Sequence, residues 1–123
     1  MLDRREREYL TFLWWKTVLE VRFVRDKILE GDGEMKTINE ALRKLANLPK
    51  LSAMMLNFSG VTFLQGGAFG PFITAYKLFK ESGKPLILTG VHEDVMEKFE
   101  ISMLNRLFRF EDSIPKALKV LRS

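Results

Sequence analysis

The stretch Phe58-Ser59-Gly60-Val61-Thr62-Phe63-Leu64-Gln65-Gly66-Gly67-Ala68-Phe69-Gly70-Pro71 decides the fold. It grows out of the short apolar run Ala53-Met54-Met55-Leu56-Asn57, which suits a strand covered on both faces. It runs into Phe69, Phe72, Ile73, Tyr76 and Phe79, an apolar stripe at helical spacing. A buried strand is thus joined to an amphipathic helix. Pro71 fits the first helical turn, where a missing N–H leaves nothing unpaired. Gly83 can take the left-handed position after the helix, and Pro85 cannot continue it.

The same alternation extends outward. Upstream, Met35, Ile38, Leu42 and Leu45 recur at helical spacing, with Asp32 or Gly33 as the start and Asn47 and Pro49 as the stop. Before them, Leu10-Thr11-Phe12-Leu13-Trp14 and Thr17-Val18-Leu19-Glu20-Val21-Arg22-Phe23 read as two strands joined near Trp15-Lys16. That joint has no Gly or Asn, and a helix over residues 4–16 is the competing reading. A short strand over residues 27–30 follows a turn at Arg25-Asp26. Downstream come a buried strand at Leu86-Ile87-Leu88 and a short helix marked by Val95, Met96 and Phe99. An alternating strand at Leu107-Phe108-Arg109-Phe110 follows. Ser113 can cap a last helix carrying Ile114, Ala117, Leu118 and Leu121 on one face. The predicted order is β-β-β-α-β-α-β-α-β-α, an α/β fold in which strands separated by helices pair in parallel.

Composition excludes several classes. A chain of 123 residues has room for about one domain of ~150 residues. No repeat or linker divides it, so we expect a single domain over residues 1–123, with 1–9 a flexible or additional segment. Hydrophobic residues make up 46% and charged residues 29%, which excludes a disordered chain. With no cysteine and a single histidine, His92, thiolate chemistry and transition-metal sites have no ligands to draw on. No cofactor and no metal are expected. No run approaches the ~20 apolar residues of a membrane span. The N-terminus lacks a signal-peptide pattern, so a cytoplasmic setting is expected. The net charge of +4 is mild, and its charges are interspersed, as in Arg4-Arg5-Glu6-Arg7-Glu8. That pattern reads as a solvated segment and not as a nucleic-acid patch.

Several parts of this pattern resemble the STAS domain, the fold of bacterial anti-sigma factor antagonists. They are residues 56–64 and the small-residue loop after them, Ala75-Tyr76-Lys77, Gly83-Lys84-Pro85-Leu86-Ile87-Leu88, and residues 99–108. The resemblance covers residues 10–121 and implies a mixed β-sheet with helices packed against it. Many members carry Asp-Ser-Ser/Thr-Gly where this chain has Gln65-Gly66-Gly67-Ala68. In those members the unphosphorylated protein binds an anti-sigma factor, often a serine kinase. Phosphorylation of the first serine breaks the complex by adding about −1.5 to −2 charge. Here the acceptor position is Gly66, and no hydroxyl stands between Gln65 and Phe72. Thr62 and Thr74 flank the loop without occupying the acceptor position.

The resemblance therefore implies a regulatory protein-binding domain that is not an enzyme and is not switched by phosphorylation at this loop. Its implied partner is an anti-sigma factor or serine-kinase-like regulatory protein. The expected docking surface is Gln65, Gly66, Gly67, Ala68 and Phe69, with Gln65 bonding across the interface. The loop is neither a phosphate-binding G-x-x-x-x-G-K-[ST] nor a G-x-G-x-x-G. On these residues alone, a tight connection that merely needs small residues is the other reading of the glycines. The alternative function is a ligand-sensing module holding a nucleotide or anion on the unshielded amides near Gly66-Gly67. His92, followed by Glu93 and Asp94, reads as a residue near a helix start, with acid/base chemistry as its other reading. Of Trp14 and Trp15, one should face outward, joined by Phe12 in an interface patch. An exposed edge strand leaves room for a homodimer.

Overall fold

Residues Leu10–Trp15 and Val18–Phe23 are β1 and β2, an antiparallel hairpin in which Trp15 faces Val18. The helical alternative for residues 4–16 is thereby excluded. The turn between them works without glycine because Lys16 itself adopts a left-handed conformation, φ 58°. The computed structural model describes residues 1–31 and 33–122. Asp32, one of the two starts named for the first helix, lies outside them.

Lys27–Ile28 (β3) leads to helix α1, Glu34–Ala46. Gly33 precedes α1 with φ 79°, a conformation few residues other than glycine adopt at low cost. Next come Ala53–Asn57 (β4), Phe63–Leu64 (β5) and α2, Gly70–Ser82. Helix α2 ends as its sequence signals: Gly83 is left-handed at φ 70°, and its amide reaches the last-turn carbonyls. Leu86–Thr89 (β6), Glu93–Ile101 (α3), Arg109–Glu111 (β7) and Ile114–Arg122 (α4) complete the chain. The Ser113 Oγ accepts the Lys116 amide at 3.3 Å, the cap its position predicted.

The main sheet has the order β1-β2-β4-β6-β7. Only the β1–β2 pair is antiparallel; β2–β4, β4–β6 and β6–β7 are parallel. This is the mixed sheet with four helices that the sequence predicted, with two corrections. The strand expected over residues 27–30 does not join the main sheet. It pairs in parallel with β5, an element the sequence did not show, because two residues carry no detectable periodicity. The last strand begins at Arg109 and not at Leu107, because residues 104–106 form a 3-10 turn that delays it.

Helices α1, α2 and α3 cover one face of the sheet, and α4 covers part of the other. On the first face Phe58, just past β4, is fully buried among Phe23, Phe72 and Phe99, with ring centroids 4.8–6.1 Å apart. On the second face Met55 and Ile87 meet Ala117 and Leu118. The alternation of β1 puts Phe12 and Trp14 against the core and leaves Leu13 and Trp15 outward. Phe12 therefore does not join an outward patch, because it shares Trp14's face. The segment over residues 1–9 is held in place. Leu2 joins the core, Asp3 and Glu6 exchange backbone-to-carboxylate bonds of 2.8 Å, and Lys44 bonds Glu6 at 2.8 Å.

Glu20 is a fully buried carboxylate on the α4 side. Burial alone raises its pKa, but donors from Arg22, Asn57 and Trp15 outweigh that, and the net direction is downward. Trp15 Nε1 donates at 2.8 Å and Asn57 Nδ2 at 2.9 Å; Arg22 Nε completes the set. A carboxyl whose folded pKa lies below its unfolded value stabilises the fold above the ordinary carboxylate range. That contribution is lost as the pH falls through the folded value.

Two outcomes are expected. Phe58→Ala should cost about 3–5 kcal/mol in denaturant unfolding, since a large buried ring leaves a cavity. Glu20→Gln should flatten the fall in stability of the native chain between neutral and acid pH, read from urea midpoints. An unchanged pH slope would remove Glu20 from this account.

Candidate functional site: the strand-to-helix bend

The bend is fixed at both ends before it turns. At its start, Asp26 O accepts the Thr62 amide at 2.7 Å, and the Gln65 amide donates to Ile28 O at 2.9 Å. The β3–β5 pair thus holds the entry. At its exit, Phe69 is buried, with its ring 5.0 Å from that of Phe99. Between these anchors the Ala68 amide donates to Gln65 O at 2.9 Å, closing a four-residue turn with Gly66 and Gly67 at its corner. Neither glycine has a positive φ.

The five predicted contact residues separate. Gln65 is half-buried, and Gly66 and Gly67 are exposed, whereas Ala68 is 0% and Phe69 6% exposed. Ala68 and Phe69 are therefore corrected to core anchors of the bend, since their side chains point inward. The Gln65 side chain is also partly committed: its Oε1 accepts the Glu30 amide at 2.8 Å. Its Nε2 has no hydrogen-bond partner among the described residues. Gly66 has open space where a Cβ would stand, while a Cβ on Gly67 would overlap the Glu30 carboxylate.

The helix start differs from the expectation too. Gly70 begins α2, with Pro71 in its first turn as predicted. The Phe72 and Ile73 amides both donate to Phe69 O at 3.0 Å. The glycines thus precede the helix and do not supply its first amides. With Glu30's carboxylate over Gly67, the local charge works against an anion here.

The remaining candidates take structural positions. Thr62 Oγ1 donates to Asp26 O at 3.3 Å, and Thr74 Oγ1 to Gly70 O at 3.1 Å. His92 immediately precedes α3, and its Nε2 lies 2.7 Å from Ser59 O. A carbonyl only accepts, so that nitrogen carries the hydrogen. His92 ties two loops at the same sheet end. No group of three or more acidic, histidine or cysteine side chains among the described residues could hold a metal ion.

The sequence reading missed Phe63. Its ring is 42% exposed, beside the bend, with Lys98 Nζ 6.0 Å from its centroid. Ile101 on α3 lines the same shallow hollow, of about 320 Å³. A two-residue strand gives no alternation from which Phe63's outward face could be read.

The two glycines should respond differently to a methyl group. Gly66→Ala should raise stability by about 0.4–1 kcal/mol, because a negative φ suits alanine and the unfolded chain loses freedom. Gly67→Ala should gain less or lose, because Glu30 must move. Equal effects in paired denaturation curves would refute this packing.

Comparison with known proteins agrees with the fold. Three solved structures share it at low sequence identity. A candidate anti-sigma factor antagonist from Thermotoga maritima superposes with a TM-score of 0.80 at 17% identity, covering 98% of this chain and 100% of that one. An anti-sigma-factor antagonist (STAS) domain protein from Planctomyces limnophilus gives 0.79 at 14% identity, covering 93% and 98%. The anti-sigma factor antagonist SpoIIAA, in its unphosphorylated form, gives 0.68 at 10% identity, also covering 93% and 98%. The family model described as STAS domain matches residues 32–117, well over half of the chain and including the whole bend. The chain belongs to the STAS domain family.

Proposed function

We propose that this chain is a regulatory protein-binding domain of the anti-sigma factor antagonist kind, with the bend as its contact point. The partner in this reading is an anti-sigma factor or serine-kinase-like regulatory protein. The observation that carries the proposal is the surface itself. Gly66 stands bare at the corner of a turn fixed on both sides, next to Gly67 under the Glu30 carboxylate and beside the exposed ring of Phe63. A partner backbone can approach Gly66 closely, and an exposed aromatic next to polar groups is the usual anchor of a protein interface. The free Nε2 of Gln65 adds one donor to that surface.

The acceptor position holds no hydroxyl, so a phosphoryl group cannot be placed there to repel the partner. We infer a contact that is not switched at Gly66. An anion or nucleotide on these amides is the weaker reading, given Glu30 over Gly67 and the internal use of the first helix amides.

Gly66→Glu places charge and bulk at the corner without a clash inside the fold. It should weaken capture of a serine-kinase-like anti-sigma factor at least tenfold with an unchanged melting temperature, as measured by calorimetry on the purified pair. Phe63→Ala should weaken it by about 1–3 kcal/mol, the range of an interface anchor. Unchanged affinity in both variants would refute the assignment. A melting temperature that rises with added nucleotide would instead favour the ligand-sensing reading.

A further inference from the structure

The sheet has a second feature at its opposite end. The parallel strands β2 and β4 begin at Val18 and Ala53, while the bend follows the far end of β4. About five residues of strand separate the two ends, roughly 16 Å. Helix α4 packs mainly over β4, β6 and β7, and on the hairpin side it meets Val18 of β2. The gap between hairpin and helix is a groove of about 520 Å³, within the range that holds small ligands. It opens into a neighbouring recess of about 330 Å³ that shares Trp15, Leu118 and Arg122.

The chemistry of the groove has two parts. Its walls are apolar: Trp14, Trp15, Val18, Leu118 and Leu121. Its charged lining is cationic only, from Lys16 in the hairpin turn and Arg122 at the end of α4. Neither has an ion pair among the described residues. The recess holds the carboxylate of Glu20, but that group is already occupied by Trp15, Arg22 and Asn57. The Thr17 and Ser52 hydroxyls bond each other across 2.7 Å and make no demand on a ligand. The groove therefore offers an apolar bed to a chain and unpaired positive charge to its head.

We propose that this groove binds a single-headed anionic amphiphile, an unbranched alkyl carboxylate, with its chain along Trp15, Val18 and Leu118 and its head between Lys16 and Arg122. The charge complementarity selects an anion over a cation, and the apolar walls select a chain over a small polar ion. The site lies at the sheet end away from the bend and so does not compete with protein docking there.

Trp14 and Trp15 are the two tryptophans of the chain, and both line the groove. Trp15, whose ring faces the α4 side, therefore reports on occupancy through its emission. Decanoate, titrated into the full chain below its aggregation concentration, should change the emission saturably. Octanoate, shorter by two methylenes, should bind about tenfold more weakly. Decylamine should give no saturable change. Lys16→Gly and Arg122→Gln should each weaken decanoate about three- to fivefold, the scale of one exposed ion pair. Both positions are exposed, so circular dichroism should show an intact fold in each variant. Lack of saturation with decanoate, equal binding of decylamine, or affinity unaltered in both charge variants would each overturn the proposal. None of these results bears on the bend.

Discussion

The shape of the bend rests on the burial of one ring. Phe58 closes β4 and touches Phe23 from the hairpin, Phe72 from α2 and Phe99 from α3. Phe99 in turn holds Phe69, Phe108 and Phe110. Tilted and edge-to-face pairs of this kind each contribute about 0.5–1.5 kcal/mol beyond the burial of their area. More important is what they join. The strand before the bend, the helix after it and the last strand of the sheet all meet in one aromatic cluster. The bend can therefore present an open glycine corner at Gly66 to solvent and still hold one shape.

The two faces of the sheet are used differently. The face under α1, α2 and α3 is sealed by aromatic and aliphatic packing. The face under α4 is only half sealed, and its polar member is Glu20. A carboxylate with three donors is stable there, but it needs every donor, and one of them is the indole of Trp15. That bond fixes the orientation of the outward tryptophan. The same interaction thus links acid sensitivity of the fold to the shape of the groove wall.

The corner of the bend carries no hydroxyl between Gln65 and Phe72. A phosphoryl group near Gly66 would meet Glu30 rather than a cationic partner within the domain. The geometry around Gly67 already contains a negative charge, fixed by the Glu30 backbone bond to Gln65.

By itself the sequence determined the kind and order of the long elements. Hydrophobic spacing is a local signal, and Gly83, Pro85, Ser113 and Pro71 mark helix ends through backbone chemistry that acts within a few residues. Only the tertiary structure decided which residues of the bend face outward. Ala68 and Phe69 look like their exposed neighbours in the sequence, but their burial depends on Phe99, some thirty positions later. The β3–β5 pair, the ordered N-terminal segment and the exposed ring of Phe63 belong to the same class. Each arises from contacts between distant parts of the chain, whose energies no local pattern encodes.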